Sequence, residues 1–308
     1  MVAGVILAGG YGKRLRPLTD SIPKPLIEIK ENYTILDKQI LSLKYAGVRE
    51  VHLLVGYLWE KINERYGEEW IGMKIRYWIE DEPQGTLYAL KNIFSKLEED
   101  SIVSNGDIVA DFNLRSLIAS AQENKDALIM IAVTRMLSPY GIVDFKDGRI
   151  LSFREKPLLD YYINAGFYYI KKEAYPYFQE KYEDRAVEKT VFPRLAELGR
   201  AYVYKEENIF WQSVDSLKDL ERVREEFKNR EDRPWGYEKM LPEGKLWYLM
   251  KSFDVKLENA KLKIESGRGI AEFENKEIEL KVGEEIYIEN GRIKALENML
   301  IKIFHQSK

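Results

Sequence analysis

The sequence contains no cysteine and, among its 308 residues, only two histidines, His52 and His305. These absences exclude disulfides, thiolate nucleophiles and Cys-ligated zinc, and they leave almost no material for Ser-His or Cys-His catalysis. An excess of one charge is also lacking, because 48 Lys and Arg face 51 Asp and Glu, a formal net charge of −3. No global field attracts nucleic acid or an acidic membrane, and we expect neither partner. An enzyme of this composition would rely on carboxylates, Lys, Arg, backbone amides and a hard metal ion.

Long apolar runs are missing as well. No segment approaches the roughly 18 uninterrupted apolar residues of a membrane span. The amino terminus has no basic stretch followed by the apolar run of a signal peptide. We therefore expect a cytoplasmic protein. The chain is nevertheless 45% hydrophobic, which is sufficient for real cores, and His52 lies in an apolar strand pattern that indicates a structural residue.

Short β-rich apolar runs alternate with helical segments up to about residue 225. This alternation is typical of an α/β fold in which helices cover a mostly parallel sheet. The predicted strands are Val2–Leu7, Glu50–Val55, Ile75–Trp78, Ser101–Val103, Ala127–Val133, Gly141–Phe145, Ile150–Phe153, Ala165–Ile170 and Ala201–Tyr204. The predicted helices between the early strands are Leu36–Tyr45, Trp59–Tyr66, Thr86–Leu97 and Asn113–Ala121.

The sequence changes character near residue 230. Residues 216–229 carry apolar side chains at helical spacing behind Ser216, a suitable N-cap, and predict the last helix of a first domain. A polar linker at Arg230–Arg233 follows. Beyond it, short alternating runs separated by turns predict a small all-β domain. We therefore place the first domain at 1–229 and the second at 233–308.

Glycines and cations concentrate where the first predicted strand ends. The run from Leu7 to Gly12 holds three glycines in four positions, which lets backbone amides approach an anion closely. The dinucleotide-binding pattern would need a glycine at Leu15, and the Walker pattern would need Ser or Thr in place of Arg14. The run predicts a polyphosphate site of another type, the alternative being a glycine loop with a solvated basic edge. The cations that supply its positive charge are Lys13, Arg14, Arg16 and Lys24.

The run LAGGYGKRLRPLT, followed by PKPL, resembles the signature of the sugar-1-phosphate nucleotidyltransferases. Members of that family join a nucleoside triphosphate to a sugar 1-phosphate and release pyrophosphate. The resemblance implies a Rossmann-like, GT-A-like, mostly parallel mixed sheet. It also implies that Arg14 and Lys13 stabilise the leaving pyrophosphate and that Lys24 neutralises the phosphorus centre. The implied nucleotide-binding residues are Leu7, Ala8, Gly9, Gly10, Gly12, Lys13, Arg14, Glu80, Gly85 and Thr86.

Asn105-Gly106-Asp107 resembles the segment in which this family places the Asp that binds Mg²⁺. The resemblance therefore makes Asp107 the first metal ligand and, with Arg14 and Lys24, a catalytic residue. A carboxylate after a parallel strand faces the ligand crevice, and Mg²⁺ takes few protein carboxylates besides phosphate oxygens. In isolation the same tripeptide would be read as an ordinary turn.

The segment from Glu80 to Thr86 resembles the family's base-binding segment, in which Gly85 lets the backbone approach the base. Glu80 stands where relatives have Gln or Glu against the base edge. Because a carboxylate only accepts hydrogen bonds, it suits the N1–H and N2–H₂ donors of guanine better than the acceptor carbonyls of a pyrimidine. This favours GTP. A solvated acidic turn is the alternative interpretation of Glu80 and Glu82.

Three further segments resemble the sugar side of the family. The resemblance implies that Gly141 and Glu155 contact sugar hydroxyls and that Lys156 binds the sugar phosphate. It also implies that Asn164 begins a turn, Asn164–Gly166, that closes over the sugar. Without the flanking matches, an adjacent Glu and Lys would be interpreted as plain surface residues.

One position departs from the family pattern. Many relatives have an Asp where this chain has Ser213, and they use it as the second metal ligand. A branch that includes phosphocholine cytidylyltransferases has Ile-Asp at the place of Val214-Asp215. The resemblance to that branch makes Asp215 the second candidate ligand for Mg²⁺.

The second predicted domain opens with Arg233–Tyr237, which resembles the start of the cupin-like isomerase module of many mannose-1-phosphate guanylyltransferases. An active module of that type needs histidine and carboxylate metal ligands. No histidine occurs between Tyr237 and Phe304. We interpret this domain as a degenerate, metal-free module with a structural, oligomeric or regulatory role, which leaves a homo-oligomer open.

The sequence thus predicts a Mg²⁺-dependent enzyme that transfers a nucleotidyl group from a nucleoside triphosphate, GTP being favoured, to a sugar 1-phosphate. Mannose 1-phosphate is the favoured acceptor, mainly from the resemblance of the second domain. Three alternatives remain: a glucose-1-phosphate thymidylyl- or uridylyltransferase, a phosphocholine-type cytidylyltransferase, and a catalytically silent nucleotide-sugar sensor.

Overall fold

The computed structural model describes residues 1–273 and 276–304, so His305 lies outside the described residues. Contacts between Cα atoms divide the chain into two compact units. Unit 1 comprises Met1–Gly10, Val48–Ile108 and Ser116–Glu207, and unit 2 comprises Tyr11–Gly47, Val109–Arg115 and the chain from Asn208 onward. Both units draw on the first domain as the sequence predicts it. The domain boundary near residue 230 therefore stays a prediction.

The secondary structure alternates short strands and helices up to residue 227 and consists of strands beyond it. The strands are β1 (Val2–Leu7), β2 (Glu28–Lys30), β3 (Tyr33–Thr34), β4 (Glu50–Val55), β5 (Glu69–Trp70), β6 (Met73–Ile79), β7 (Asp100–Asn105), β8 (Ile108–Ala110), β9 (Ile129–Leu137), β10 (Ile142–Lys146), β11 (Arg149–Arg154), β12 (Leu158–Ile170), β13 (Ala201–Lys205), β14 (Trp211–Ser213), β15 (Arg230–Arg233), β16 (Gly236–Leu241), β17 (Gly244–Leu249), β18 (Asp254–Ser266), β19 (Gly269–Phe273), β20 (Lys276–Leu280), β21 (Glu285–Ala295) and β22 (Met299–Phe304). The α-helices are α1 (Ile35–Tyr45), α2 (Trp59–Tyr66), α3 (Thr86–Phe94), α4 (Leu114–Glu123), α5 (Tyr175–Phe178), α6 (Val191–Glu197) and α7 (Leu217–Phe227).

Unit 1 is built on an eight-stranded sheet with the order β13-β9-β12-β7-β1-β4-β6-β5. Strands β7, β1, β4 and β6 run parallel to one another in its centre. β12 runs antiparallel to both of its neighbours, β7 and β9. The mostly parallel mixed sheet predicted from the sequence is confirmed. Strands β1 and β4 are largely apolar and buried on both faces, whereas in β6 buried residues alternate with the exposed Lys74 and Arg76.

The core of unit 1 is a cluster of buried apolar side chains from the sheet and from helices α3, α5 and α6. The ring of Phe94 on α3 stacks on Tyr175 with centroids 4.0 Å apart and meets the Phe178 ring edge-on at 4.8 Å. His52 is buried on β4, where its Nδ1 accepts a hydrogen bond of 3.0 Å from Nε1 of Trp78. Burial lowers the pKa of His52, which favours the neutral form of a structural residue.

Unit 2 contains a second sheet, with the order β15-β16-β17-β22-β18-β21-β19-β20. Its described strand pairs are antiparallel. Along β18 buried residues alternate with exposed ones and cover one face of the sheet with Val255, Leu257, Leu262 and Ile264. The small all-β part predicted beyond residue 233 is therefore confirmed as a fold class, while its cupin-like origin stays a prediction.

The polar linker predicted at Arg230–Arg233 is wrong. These residues form strand β15, which pairs with β16, and the side chain of Arg230 is fully buried. Its guanidinium donates to the carboxylates of both Asp111 and Asp232. A buried charge is tolerated when oppositely charged groups compensate it. The polar composition of Arg230–Arg233 therefore does not indicate an exposed linker.

Candidate active site

The carboxyl ends of the central parallel strands form one row at the edge of the unit 1 sheet. Leu7 at the end of β1 lies opposite Asn105 at the end of β7, and the Gly106 amide donates to the Leu7 carbonyl over 2.9 Å. A Cβ on Gly106 would overlap that carbonyl oxygen, so only glycine fits. The turn that carries Asp107 is thereby held against the start of the glycine run. A crevice at such strand ends is where open α/β sheets bind ligands.

The glycines of the run differ in what surrounds them. The Ala8 amide donates to the carbonyl of Leu54 over 2.8 Å, which fixes the chain as it leaves β1. A Cβ on Gly9 would lie 3.5 Å from the Gly56 amide nitrogen, so Gly9 is packed against the end of β4. A Cβ on Gly10 would meet no atom within 4 Å. The space beside Gly10 is therefore open to a ligand.

Glu80 follows β6 in the same row of strand ends. Its amide donates to the carbonyl of Val55 over 2.8 Å, and its carbonyl oxygen lies beside Gly56. Its Oε1 atom is buried and accepts no hydrogen bond from the described part of the chain. Burial also raises the pKa of Glu80. One oxygen of the half-buried Glu80 side chain is thus a buried acceptor, whereas Glu82 is exposed. The contact of Glu80 with a base stays a prediction.

The structure gives Gly85 and Thr86 roles in packing. Gly85 has a φ of 98°, and a Cβ there would lie 2.6 Å from the carbonyl oxygen of Arg185. The Thr86 hydroxyl accepts from the Val187 amide over 3.1 Å, and it lies 3.5 Å from Oε2 of Glu188. These contacts account for both residue types without a ligand. Their part in binding the base stays a prediction.

Asn164 does not begin a separate turn, because Asn164–Gly166 lies inside strand β12. The register with β9 shifts between Asn164 and Tyr168, and Oδ1 of Asn164 accepts from the Gly166 amide over 2.9 Å. The predicted turn is therefore a β-bulge. A Cβ on Gly166 would lie 3.1 Å from Nδ2 of Asn105, so the bulge packs against the strand that leads to Asp107.

Tyr168 connects these groups, although it belongs to none of the sequence motifs. Nδ2 of Asn164 donates to its hydroxyl over 2.9 Å, and Asn105 interacts with the same hydroxyl. Burial raises the pKa of Tyr168, so it stays protonated. The hydroxyl therefore fixes the orientation of the Asn164 side chain. A tyrosine in an apolar strand is normally interpreted as a core residue. Here the bulge at Asn164–Gly166 brings the Asn164 side chain to its hydroxyl.

Gly141, Glu155 and Lys156 lie together at the open end of the β10–β11 hairpin. A Cβ on Gly141 would lie 2.7 Å from the Phe153 ring and 3.0 Å from Oε2 of Glu155. Nζ of Lys156 lies 3.6 Å from Oε1 of Glu155, and Lys156 has a φ of 43°. Glu155 and Lys156 lie in a bend before Pro157, as the sequence predicts, and their contact with the sugar and its phosphate stays a prediction.

In unit 2 the chain turns at Gly12 and presents the cations. Gly12 has a φ of 61°, and its carbonyl accepts from the Thr19 hydroxyl over 2.9 Å. A Cβ on Gly12 would lie 2.9 Å from Cγ2 of Thr19 and 3.2 Å from Cβ of Lys24. Leu15 is buried in the cluster that also contains Val214, which anchors the short 3-10 turn Lys13–Leu15. The fold thus fixes the backbone that carries Arg14 and Lys24.

Asp215 pairs with both of these cations. Its Oδ1 lies 2.9 Å from Nη2 of Arg14 and 3.1 Å from Nζ of Lys24, and its Oδ2 accepts from the Ser213 hydroxyl over 3.0 Å. Burial raises the pKa of Asp215, but Lys24, Ser213 and Arg14 together outweigh it and hold the pKa below its usual value. The carboxylate stays ionised. The motifs predict separate roles for Asp215 and the two cations, and none of them predicts that these side chains meet.

Two elements place Asp215. Strand β14 ends at Ser213, and Ser216 begins helix α7 as its N-cap, with Asp219 completing a capping box. Val214 between them is fully buried in the apolar cluster of Leu15, Leu220 and Phe227. Asp215 lies between the buried Val214 and the N-cap Ser216 and is not part of that cluster. This is the local reason why Asp215 reaches the cations.

Asp107 in unit 1 and Asp215 in unit 2 each offer the carboxylate oxygens that Mg²⁺ prefers. Within residues 1–273 and 276–304, no group of three or more His, Cys, Asp or Glu side chains forms a complete metal cage. Mg²⁺ does not need one, because it binds one or two carboxylates together with phosphate oxygens and water. Asp215 is an ionised carboxylate, and Asp107 lies on the strand-end turn beside the glycine run. A substrate phosphate would have to supply the remaining ligands.

The family model and the relatives that match this chain are all nucleotidyltransferases. The nucleotidyl transferase family model matches residues 3–230. Mannose-1-phosphate guanylyltransferase catalytic subunit beta of Danio rerio is 35% identical over 226 residues, which cover 70% of this chain and 62% of that protein. Mannose-1-phosphate guanyltransferase of Yarrowia lipolytica is 35% identical over 227 residues, 70% of this chain and 61% of that protein. The chain thus spans about three fifths of the length of these relatives.

Solved structures agree with the fold. HddC from Yersinia pseudotuberculosis has a TM-score of 0.59 and 26% identity, covering 74% of this chain and all of that one, and it has also been solved complexed with GMP-PN. A putative glucose-1-phosphate thymidylyltransferase from Bacillus anthracis has a TM-score of 0.60 at 18% identity, over 73% of this chain and 94% of that one, which shows the fold alone. No helix among the described residues is long and apolar enough to cross a membrane.

Proposed function

Because this chain belongs to the nucleotidyl transferase family, we propose that it transfers a guanylyl group from GTP to mannose 1-phosphate, giving GDP-mannose and pyrophosphate. The curated relatives named as mannose-1-phosphate guanylyltransferases support this reaction. The observation that carries it is the row of strand ends in unit 1, which brings the glycine run, Asp107 and Glu80, whose Oε1 is buried, to one edge. In this proposal the row binds the phosphates, the cation and the base.

The reaction needs no protein nucleophile. An oxygen of the sugar phosphate attacks the α-phosphorus in line, and the bond to the β-phosphate oxygen breaks as that oxygen leaves with the electron pair. Both substrates are anions, so positioning and charge neutralisation dominate catalysis. In this proposal Arg14 and Lys13 stabilise the leaving pyrophosphate, and Lys24 neutralises the charge at the α-phosphorus. Asp215 holds Arg14 and Lys24 in place before the substrate arrives.

The two substrates would be recognised by different groups. The carboxylate of Glu80 would accept from N1–H and N2–H₂ of guanine, while Gly85 and Thr86 line the base. Gly141, Glu155 and Asn164 would contact the sugar hydroxyls, and Lys156 the sugar phosphate. Mg²⁺, when bound, neutralises phosphate charge, and Asp107 and Asp215 are the residues that would hold it. A cytoplasmic location is part of the same proposal.

The test is pyrophosphate release across a panel of GTP, dTTP, UTP and CTP with mannose 1-phosphate, glucose 1-phosphate and phosphocholine. We expect the highest rate for GTP with mannose 1-phosphate. A strong preference for dTTP or UTP, or for CTP with phosphocholine, would overturn the proposed substrates. Binding of nucleotide without any turnover would indicate a silent sensor instead.

A matched pair of variants tests the site rather than the substrate. Asp107→Ala should abolish Mg²⁺-dependent pyrophosphate release, because the strand-end carboxylate is lost. Asp126→Ala removes an exposed carboxylate elsewhere in unit 1 and should leave the rate unchanged. Equal activity of both variants would contradict the assignment of Asp107. Circular dichroism would show that each variant keeps the fold.

A further inference from the structure

The carboxylate of Asp215 holds the two cations that the proposed function assigns to the phosphates of the nucleotide. Its Oδ1 lies 2.9 Å from Nη2 of Arg14 and 3.1 Å from Nζ of Lys24. Its Oδ2 accepts from the Ser213 hydroxyl, so both carboxylate oxygens have donors. The protein therefore carries an anion of its own at the place where a polyphosphate would have to bind.

The contact between Lys24 and Asp215 is partly shielded from water. Their side chains are 13% and 30% exposed, whereas Arg14 is 76% exposed and adds less. On the same loop Arg16 pairs with Asp20 over 3.1 Å, but these side chains are 54% and 56% exposed. Water screens an exposed pair, and a partly buried pair interacts more strongly. Asp215 therefore competes with an incoming anion for Lys24 more effectively than Asp20 does for Arg16.

The backbone of Asp215 is fixed on both sides. Val214 before it is fully buried, and Ser216 after it is the N-cap of helix α7. The amides of Asp215 and Ser216 both donate to Oδ2 of Asp219, over 3.2 and 2.8 Å. The Asp215 side chain can therefore change partners by rotation, but its carboxylate cannot leave the neighbourhood of the two cations.

We infer that Asp215 makes the site selective for a polyphosphate that carries a divalent cation over the same polyphosphate without one. The inference rests on the proposed function, in which Arg14 and Lys24 bind phosphate. A metal-free polyphosphate that takes both cations leaves the Asp215 carboxylate beside phosphate oxygens of the same charge, which is unfavourable. A divalent cation on the polyphosphate gives that carboxylate a new partner of opposite charge. Asp215 is thus a specificity-determining residue that distinguishes two forms of one nucleotide.

The neutral residue at position 213 limits the strength of this selection. Arg14, Lys24 and Asp215 together have two positive charges and one negative charge, and Ser213 adds none. An Asp in place of Ser213 would put a second carboxylate beside the same cations. Removing the charge at 215 and adding one at 213 should therefore change the affinity for a metal-free polyphosphate in opposite directions.

The test measures the binding of inorganic pyrophosphate by titration calorimetry at one ionic strength, with Mg²⁺ and with EDTA. The whole chain should bind at least about 10-fold more tightly with Mg²⁺. Asp215→Asn should bind metal-free pyrophosphate about 10-fold more tightly than the whole chain, because the competing charge is lost, and should gain less from Mg²⁺. Ser213→Asp should bind metal-free pyrophosphate more weakly than the whole chain.

The matched control is Asp20→Asn, which removes the exposed partner of Arg16 on the same loop. Its affinities should stay within about 2-fold of those of the whole chain in both conditions, because an exposed pair contributes little. Unchanged circular dichroism and thermal midpoint would show that each variant is folded.

Pyrophosphate contains neither a base nor a sugar, so this experiment is independent of the substrate panel. A panel that favours another nucleotide would contradict the proposed function and leave the expected binding results unchanged. Turnover of GTP with mannose 1-phosphate, together with unchanged or weaker metal-free binding by Asp215→Asn, would overturn this inference alone. Binding by the whole chain that does not depend on Mg²⁺, or an equal effect of Asp20→Asn, would also overturn it.

Discussion

Glu80 is the residue on which the proposed choice of nucleotide rests. Its carboxylate lies at the end of β6 with a buried Oε1 that accepts no hydrogen bond from the described residues. Leaving a buried acceptor unsatisfied costs about 1–3 kcal/mol. A ligand that donates two hydrogen bonds from one edge would recover that energy. Guanine presents such an edge, whereas the corresponding edge of a pyrimidine offers only one donor group beside its acceptors.

The substitution Glu80→Gln should therefore raise KM for GTP by about 10- to 100-fold, because charge-assisted hydrogen bonds to the base are lost. It should change kcat little. Burial raises the pKa of Glu80. As the pH falls, its carboxylate is therefore protonated at a higher pH than an ordinary Glu carboxylate. KM for GTP should rise as the pH drops through that value, and the Gln variant should lack this rise. Glu82→Gln, an exposed neighbour, is the control. An equal effect of both substitutions would contradict the role of Glu80.

The candidate site contains residues that sequence motifs point to and contacts that no motif reveals. Motifs located Asp107, Gly12 and Glu80, because each belongs to a contiguous run at the end of a strand. The contact of Arg14 with Asp215 joins residues 201 positions apart, which no local periodicity reveals. The Asn164 bulge was missed because a turn and a bulge share the same Asn-x-Gly chemistry.

At the scale of elements, strand β15 is the clearest case in which composition is misleading. Four consecutive polar residues read as a linker, yet Arg230 is packed between the rings of Phe227 and Tyr237, with its guanidinium carbon 4.2 and 3.8 Å from their centroids. Lys38 adds a second cation, 3.1 Å from Asp111 and 3.4 Å from Asp232. Two cations and two carboxylates therefore share one buried site. Only the tertiary structure brings them together.

Arg230→Ala should lower the free energy of unfolding by about 3–5 kcal/mol, because it leaves buried carboxylates with one cation. Chemical denaturation at neutral pH would measure this. Arg233→Ala, on the same strand but with a side chain that is 41% exposed, should change it by less than about 0.5 kcal/mol. Similar losses for the two variants would contradict a buried ion cluster.

The same cluster predicts how stability depends on pH. Burial raises the pKa of Asp232, but Lys38 and Arg230 outweigh it and hold the pKa well below the usual value. A carboxyl with a depressed pKa stabilises the fold above its unfolded value, about 3.9, and that stabilisation is lost as the pH falls through the folded value. The difference between the whole chain and Arg230→Ala should therefore shrink only in strong acid.

At the scale of the whole molecule, the sequence predicts the fold class, whereas the predicted domain boundary stays untested. Continuous apolar runs such as Val2–Leu7 identify buried parallel strands, and alternating runs identify the second sheet. The predicted boundary at residues 229 and 233, however, crosses the cluster of Lys38, Asp111, Arg230 and Asp232. Local sequence patterns do not reveal ion pairs between distant segments. The sequence therefore could not show that the predicted boundary separates the members of this cluster.

This crossing leads to a prediction about truncation. A chain ending at Asn229 loses Arg230 and Asp232, and with them the partner of the Tyr33 hydroxyl, which donates to Asp232 over 2.6 Å. Disrupting a buried ion cluster costs about 3–5 kcal/mol, a large part of the 5–15 kcal/mol that stabilises a typical domain. We expect this chain to unfold at a much lower temperature than the whole chain.

A second truncation separates the cluster from the rest of the β sheet. A chain ending at Leu241 keeps β15 and β16, so Arg230 retains Asp111, Asp232 and the ring of Tyr237. It should unfold at a higher temperature than the chain ending at Asn229, although it exposes more unpaired strand edge. Thermal unfolding followed by circular dichroism measures the order of the three chains. If the chain ending at Asn229 were as stable as the whole protein, the residues before 230 would form an independent domain, and the cluster would not hold the two parts of the sequence together.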